Sequence, residues 1–207
     1  MAQIVQGKEG IQAIAAGGNP EVRTDHSGAT VVSPLFGFEN ARKSQTFTAS
    51  TAVGGVAPGT SVGTAAGFAL QNPDAGSTWL VLRRIRMAYL SGTLGAGAIA
   101  LVSHVAGADF TGTAITPISS RLGSGTAAGL AFTAATVPAS GTVVRYLGSI
   151  QASLASTAVG GWLFDCDLTN DPIIIAAALG VSIQGITAAG STPLVLYSVT
   201  FDEVAVP

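Results

Sequence analysis

The sequence predicts an all-β protein, an antiparallel β-sandwich of jelly-roll type over residues 46–207, preceded by an extended N-terminal arm over residues 1–45. Three observations carry this. From Gln45 onward, short apolar or β-branched runs alternate with clusters of Gly, Pro, Asn and Ser, which is the punctuation of sandwiches and barrels. Two of the longer runs alternate as half-buried strands do. Helix signals are nearly absent; only residues 150–158 read equally well as a short helix or a strand.

The expected strands are 46–51, 65–71, 78–90, 98–105, 130–136, 142–151, 161–166, 173–177, 181–186 and 194–204. Turn chemistry separates them. Asn72-Pro73-Asp74, Asn170-Asp171-Pro172 and Gly190-Ser191 are turn formers, because Pro presets φ and Asn or Asp side chains bond to the nearby backbone. In the last run Val195, Tyr197, Val199 and Phe201 share one face, opposite Leu196, Ser198 and Thr200. In the run 79–90, Trp79, Val81, Ile85, Met87 and Tyr89 share a face opposite Leu80, Leu82, Arg84 and Arg86, with Arg83 interrupting the apolar side. Partly apolar second faces imply a sandwich whose outside is partly covered; about eight such strands suggest a jelly roll.

The arm differs in character. It holds Lys8, Arg23, Arg42 and Lys43 with four acids, a breaker cluster at Gly17-Gly18-Asn19-Pro20, and no periodic apolar pattern long enough for a core. Such a segment is expected to borrow order from a surface on which it lies. The phrase Ala49-Ser50-Thr51-Ala52-Val53-Gly54-Gly55 recurs at 155–161, but the flanks do not align, so no duplicated domain is inferred.

Charged residues make up only 10% of the chain, against roughly 25% in ordinary globular domains. Hydrophobic residues reach 48%, drawn from small and aliphatic types rather than aromatics. A surface so poor in charge is expected to be covered by partners, because permanent interfaces are depleted in charge. A net charge of −2 supplies no basic field to gather phosphates, so no nucleic-acid partner is expected. The lone Cys166 excludes an intrachain disulfide. The start lacks the basic-then-apolar order of a signal peptide, and the apolar runs are too short to span a bilayer as helices. No membrane partner is expected, and the chain reads as soluble.

Motifs that resemble chemistry are weak. Asp25-His26-Ser27 contains three triad residue types, but neighbours in sequence point apart and do not make triad geometry. His104 and Cys166 stand alone, without metal-ligand spacing. Gly95–Ala100 imitates a dinucleotide turn without the following helix or acid, and reads better as a hairpin loop over 91–97. The glycines at 54–59 lack the lysine of a phosphate loop. Asp165, Asp167 and Asp171 fit either a hard-cation site or an acidic strand-end turn; the missing turn glycine and distal glutamate favour the turn. No catalytic residue, metal or cofactor is therefore assigned. The densest positive charge is Arg83, Arg84 and Arg86. It either guards a sheet edge or docks an acidic partner surface through bidentate arginine pairing. With Arg42 and Lys43 of the arm, these are the candidate partner-binding residues.

Several phrases carry a family resemblance: Val22-Arg23-Thr24-Asp25-His26-Ser27-Gly28, Phe47-Thr48-Ala49-Ser50-Thr51, Phe68-Ala69-Leu70-Gln71-Asn72-Pro73, Trp79-Leu80-Val81-Leu82, and the ending from Pro193 to Val204. Together they resemble tailed-bacteriophage virion structural proteins. The resemblance implies a capsid decoration (cement) protein: a non-enzymatic β-sandwich, often a homotrimer, that clamps neighbouring major capsid protein subunits on the virion surface after synthesis in the host cytoplasm. It offers no catalytic residues to transfer. A tail or fibre-base component, and a carbohydrate- or receptor-binding sandwich, are the alternatives. The sparse, strand-embedded Trp and Tyr residues weigh against the last of these.

Overall fold

A computed structural model describes residues 40–73, 76–105, 110–139, 141–150, 162–187 and 192–205. Twelve strands form among them: β1 (Thr46–Ser50), β2 (Ala65–Gln71), β3 (Thr78–Ser91), β4 (Gly97–His104), β5 (Thr111–Ile115), β6 (Ile118–Ser119), β7 (Leu130–Thr136), β8 (Thr142–Ile150), β9 (Trp162–Asp167), β10 (Ile173–Ile175), β11 (Gly180–Thr187) and β12 (Leu194–Ala205). Every expected strand is present, with ends moved by one or two residues. Two were not expected. β5 reads Thr-Gly-Thr-Ala-Ile and exposes its first four residues, and β6 has only two residues. Neither offers the alternating apolar signal by which strands are recognised.

The strands form two antiparallel sheets. The first runs β10-β3-β12-β1-β6, with β9 also paired to β3; the second runs β5-β7-β2-β11-β4-β8. The pairing is nested: β1 with β12, β2 with β11, β3 with β9 and β10, β4 with β8. Successive pairs fall in alternate sheets, and β12 and β11 pair in turn with β3 and β4. This is the order of a long hairpin rolled into a sandwich, a jelly roll. Strands β5, β6 and β7 are additions at the sheet margins. The connection over 91–97, expected as a hairpin loop, instead carries the chain from the first sheet to the second, and Leu94 within it is fully buried. The crossing between β2 and β3 is held by fully buried Asn72, whose Nδ2 donates to the carbonyls of Thr78 at 2.8 Å and Ile175 at 3.1 Å.

The core lies between the sheets. Phe47, Leu80, Leu82, Ile85, Met87, Val199 and Phe201 of the first sheet meet Phe68, Leu70, Ile99, Leu101, Val181 and Ile183 of the second. In β12 the expected alternation holds: Val195, Tyr197, Val199 and Phe201 face inward. In β3 it changes phase. Leu80 and Leu82 face the core, then Ile85 and Met87 do. The register with β12 passes from Leu82 opposite Phe201 to Arg84 opposite Thr200, leaving Arg83 as the extra residue of a β-bulge. A bulge inserts one residue and so exchanges the two faces. Arg83 therefore marks the change of phase, and the expectation that Leu80 and Leu82 share a face with Arg84 and Arg86 is corrected.

The compact unit begins at Asn40, so residues 40–45, which the sequence assigns to the arm, belong with the sandwich. The turn at 40–42 is followed by Gln45, whose carbonyl accepts from the Glu203 N–H at 2.7 Å. Asn40 Nδ2 donates to Asp202 Oδ2 at 2.8 Å, Thr46 Oγ1 donates to Oδ1 at 2.6 Å, and Arg83 Nε donates to Oδ2 at 2.6 Å. Asp202 is 1% exposed. Replacing Asp202 by Ala removes the buried acceptor that Asn40, Thr46 and Arg83 share, so we expect a loss of about 3–5 kcal/mol in denaturant unfolding.

The largest fully buried side chain, Tyr197, lies over Gly67, where an added Cβ would come within 2.7 Å of Tyr197 Cε2 and 3.1 Å of the Ala57 carbonyl oxygen. Among the described residues the Tyr197 hydroxyl has no hydrogen-bond partner, and burial pushes its pKa up. Gly67→Ala is expected to cost about 1–3 kcal/mol through overpacking, measured as a lower Tm without change of fold.

Candidate functional site

The outer face of the first sheet is ordered in rows across the strands. Nearest the Asp202 cluster, Ile118, Thr48, Thr200, Arg84 and Asp167 stand side by side; the next row is Ser50, Ser198, Arg86 and Asp165; beyond them come Leu196 and Ala88. Small hydroxyl side chains bridge β1 and β12: Thr48 Oγ1 and Thr200 Oγ1 are 3.0 Å apart, and Ser50 Oγ donates to Ser198 Oγ at 3.1 Å. Such cross-strand pairs each add a few tenths of a kcal/mol, up to about 1 kcal/mol, to a sheet.

Arg84 and Arg86 share this face, as their spacing predicts, but they converge on one carboxylate. Arg84 grips Asp165 with both Nε, at 2.6 Å, and a terminal nitrogen, while Arg86 Nε donates to it at 3.2 Å. The hydrogen-bonded Arg84 guanidinium holds Asp165 below the usual carboxylate range, and Arg86 adds to the effect. Arg83 is separated from them, turned to Asp202 by the bulge. Guarding of a sheet edge does not apply: β3 is central, with β12 on one side and β9 and β10 on the other. Arg42 and Lys43 are exposed on the first turn, close to a loop whose Arg121 Nη1 donates to the Arg42 carbonyl at 3.3 Å.

The remaining aspartates serve local geometry. Asp167 accepts from the Thr169 N–H at 2.8 Å, and Thr169 lowers its pKa. Asp171 pairs with Arg145 of β8. The carboxylates thus turn to different partners, and among the described residues no three His, Cys, Asp or Glu converge as metal ligands. Asp25, His26 and Ser27, residues 151–161 and the arm before Asn40 lie outside the described residues. No helix among the described residues is long and apolar enough to cross a membrane.

Two shallow depressions of about 320 Å³ each meet at Ser50 on this face. One is lined by Thr48, Thr116, Ile118 and Leu122, the other by Val53, Ala88, Leu196 and Ser198; no charged residue lines either. At their rims Val53, Leu122 and Ile118 are 93%, 83% and 62% exposed. Sequence reasoning missed this surface because it joins a turn, a two-residue strand and a loop that carry no common motif.

Part of the outer face of the second sheet is covered by the chain itself, while Val144 and Tyr146 of β8 stay exposed. Ala66, Ala69, Ala135 and Val137 pack with Phe110, whose ring lies edge-on to His104 at 5.5 Å. Beside them runs a buried polar chain. Gln184 Nε2 donates to Ser182 Oγ at 2.8 Å, Ser182 Oγ lies 2.8 Å from His104 Nε2, and His104 Nδ1 lies 3.0 Å from the Pro138 carbonyl. The carbonyl requires a proton on Nδ1, so Nε2 accepts from the serine. An apolar cleft of about 260 Å³ adjoins His104 between β8 and β10, but both ring nitrogens are engaged within the fold. His104 is structural.

Compared with protein families, with curated proteins and with solved structures, the chain matches none. The fold by itself defines the class: an all-β sandwich with jelly-roll strand order.

Burial lowers the His104 pKa, against a smaller opposing effect of the Pro138 carbonyl. The resulting stability is complete above the ordinary histidine value near 6.5 and is lost as the pH falls through the folded value, since the unfolded chain takes the proton first. We expect the unfolding free energy to decline below about pH 6.5. His104→Gln should be less stable at neutral pH and show a flatter slope in this range, measured by urea denaturation at a series of pH values.

Proposed function

We propose that this protein is a non-enzymatic structural subunit of a tailed-bacteriophage virion, a decoration protein that binds the outside of the capsid as a homo-oligomer and bridges neighbouring capsid subunits. The observation that carries the reading is the exposed face of the first sheet, uncharged along both depressions and rimmed by bare aliphatic side chains. A surface of that kind is suited to burial against protein. The phrases that resemble those of virion structural proteins, from Val22-Arg23-Thr24 to the C-terminal strand, suggest the biological setting.

A subunit of this kind acts by linkage. It binds the assembled lattice better than separated capsid subunits and so shifts the balance toward the assembled state. Several modest contacts per oligomer add through multivalency. Arg84 and Arg86 are both already engaged by Asp165, so attachment is expected to draw mainly on apolar burial and shape. Binding should then persist at moderately raised salt, where a purely electrostatic dock weakens.

The test is thermal. Particles stripped of the protein should rupture at lower temperature than decorated ones, and adding it back should restore the difference, followed by release of packaged DNA. Equal rupture temperatures would refute the stabilising role. Imaging that places the protein on the tail rather than the capsid would favour the tail-component alternative.

A further inference from the structure

We infer that His104 is an acid-sensitive latch: on taking a proton, its ring leaves the second sheet for the neighbouring cleft and frees the connection between β7 and β8, while the first sheet stays folded.

At neutral pH every hydrogen around the ring has an acceptor. The Gln184 amide clasps the backbone of Gly63, with Oε1 accepting from the N–H at 2.8 Å and Nε2 donating to the carbonyl at 3.2 Å. The second Nε2 hydrogen goes to Ser182 Oγ, the serine hydroxyl to His104 Nε2, and the Nδ1 hydrogen to the Pro138 carbonyl. The chain thus runs in one direction, from the connection before β2 to the connection before β8, and His104, Ser182 and Gln184 are all buried. A second proton on the ring reverses one link. Nε2 becomes a donor, so Ser182 Oγ accepts from both sides. Its own hydrogen then has no acceptor among the described residues, and a buried donor left unpaired is costly.

The imidazolium also has no counter-ion there. Strands β4, β10 and β11 and residues 137–141 contain no charged residue. Strand β8 brings Arg145, which turns to Asp171. Phe110 presents its ring edge-on, and Asp109 beside it lies outside the described residues. A charge buried without a partner is expelled or neutralised.

The fold offers the ring an exit. The cleft of about 260 Å³ beside His104 is walled by aliphatic side chains of β8, β10 and β11, and Val105, Val144 and Ile174 on its lining are exposed. A ring turned into the cleft reaches water there and gives up Pro138 and Ser182 together. Little else ties the connection down. The Val137 N–H donates to the Thr64 carbonyl at 2.8 Å, and Ser103 Oγ donates to the Thr142 carbonyl at 3.3 Å. Gly141 packs on the ring itself, since an added Cβ would lie 2.8 Å from His104 Cε1. The strand that follows, β8, is an edge strand that shifts register twice against β4. Burial holds the closed ring's pKa below its ordinary value, so the open form takes the proton first and acid favours opening.

Hydrogen–deuterium exchange of the full-length chain between about pH 7.5 and 5, corrected for the intrinsic pH dependence of exchange, tests the latch. Amides of residues 137–143 should lose protection about tenfold for each pH unit below about 6.5, the slope of one proton bound on opening. Amides of β1, β3 and β12 should keep theirs over the same range. His104→Gln should abolish the slope. Gly141→Ala, which crowds the ring, should lower the protection of residues 137–143 already at neutral pH. Asp109→Asn should leave the wild-type slope intact. The wild-type comparison between the two sheets decides the matter even where a variant does not fold. Protection that does not change with pH, an equal loss in β1, β3 and β12, a slope that survives His104→Gln, or one that disappears in Asp109→Asn would each overturn the latch.

Discussion

The carboxylate of Asp202 is the point at which the fold is tied. It accepts from Asn40 at the start of the compact unit, from Thr46 on β1 and from Arg83 on β3, while its own backbone belongs to β12. One side chain thus joins the first strand, the third and the last. A buried ion pair adds little net stability over well-packed apolar groups, since desolvating two charges offsets their attraction. Its effect here is on register. A shift of β12 by one residue would place Asp202 in the core and break its bonds to Asn40, Thr46 and Arg83, a cost much larger than that of one misplaced aliphatic side chain.

That register propagates outward. With β12 held between β1 and β3, the residues Ser198 and Thr200 must lie on the outer face beside Ser50 and Thr48, and Arg84 and Arg86 must lie beside β9. Asp165 then falls within reach of both arginines. The two cations share this one carboxylate of a neighbouring strand, beside a broad hydroxyl-rich face. The second sheet solves the same problem differently. Its outward His104, Ser182 and Gln184 are buried, and they satisfy one another and the backbone of Pro138 and Gly63. The two outer faces therefore differ, one carrying a buried polar chain and the other exposed rows of hydroxyl side chains.

Glu203, next to the register-setting aspartate, faces the other way. It accepts from the N–H groups of Ala128 and Gly129, while burial raises its pKa against those bonds. Adjacent carboxylates on opposite faces of β12 thus hold two separate loops, 40–45 and 127–129, to the same strand.

The sequence by itself determined the class of fold and nearly every strand, because both rest on local chemistry: β-branched runs, Gly and Pro punctuation and period-two alternation act within a few residues. It determined the low surface charge, and it showed that Arg84 and Arg86 share a face. It did not reveal β5 and β6, whose residues carry no alternating pattern, nor the phase change at Arg83, where a bulge reads as a charged interruption. The pairing of Arg84 and Arg86 with Asp165, and of Arg83 with Asp202, joins residues about eighty and more than a hundred positions apart. Only the tertiary structure decided those partners, since strand order in a jelly roll is set by nested long-range pairing that no local pattern encodes.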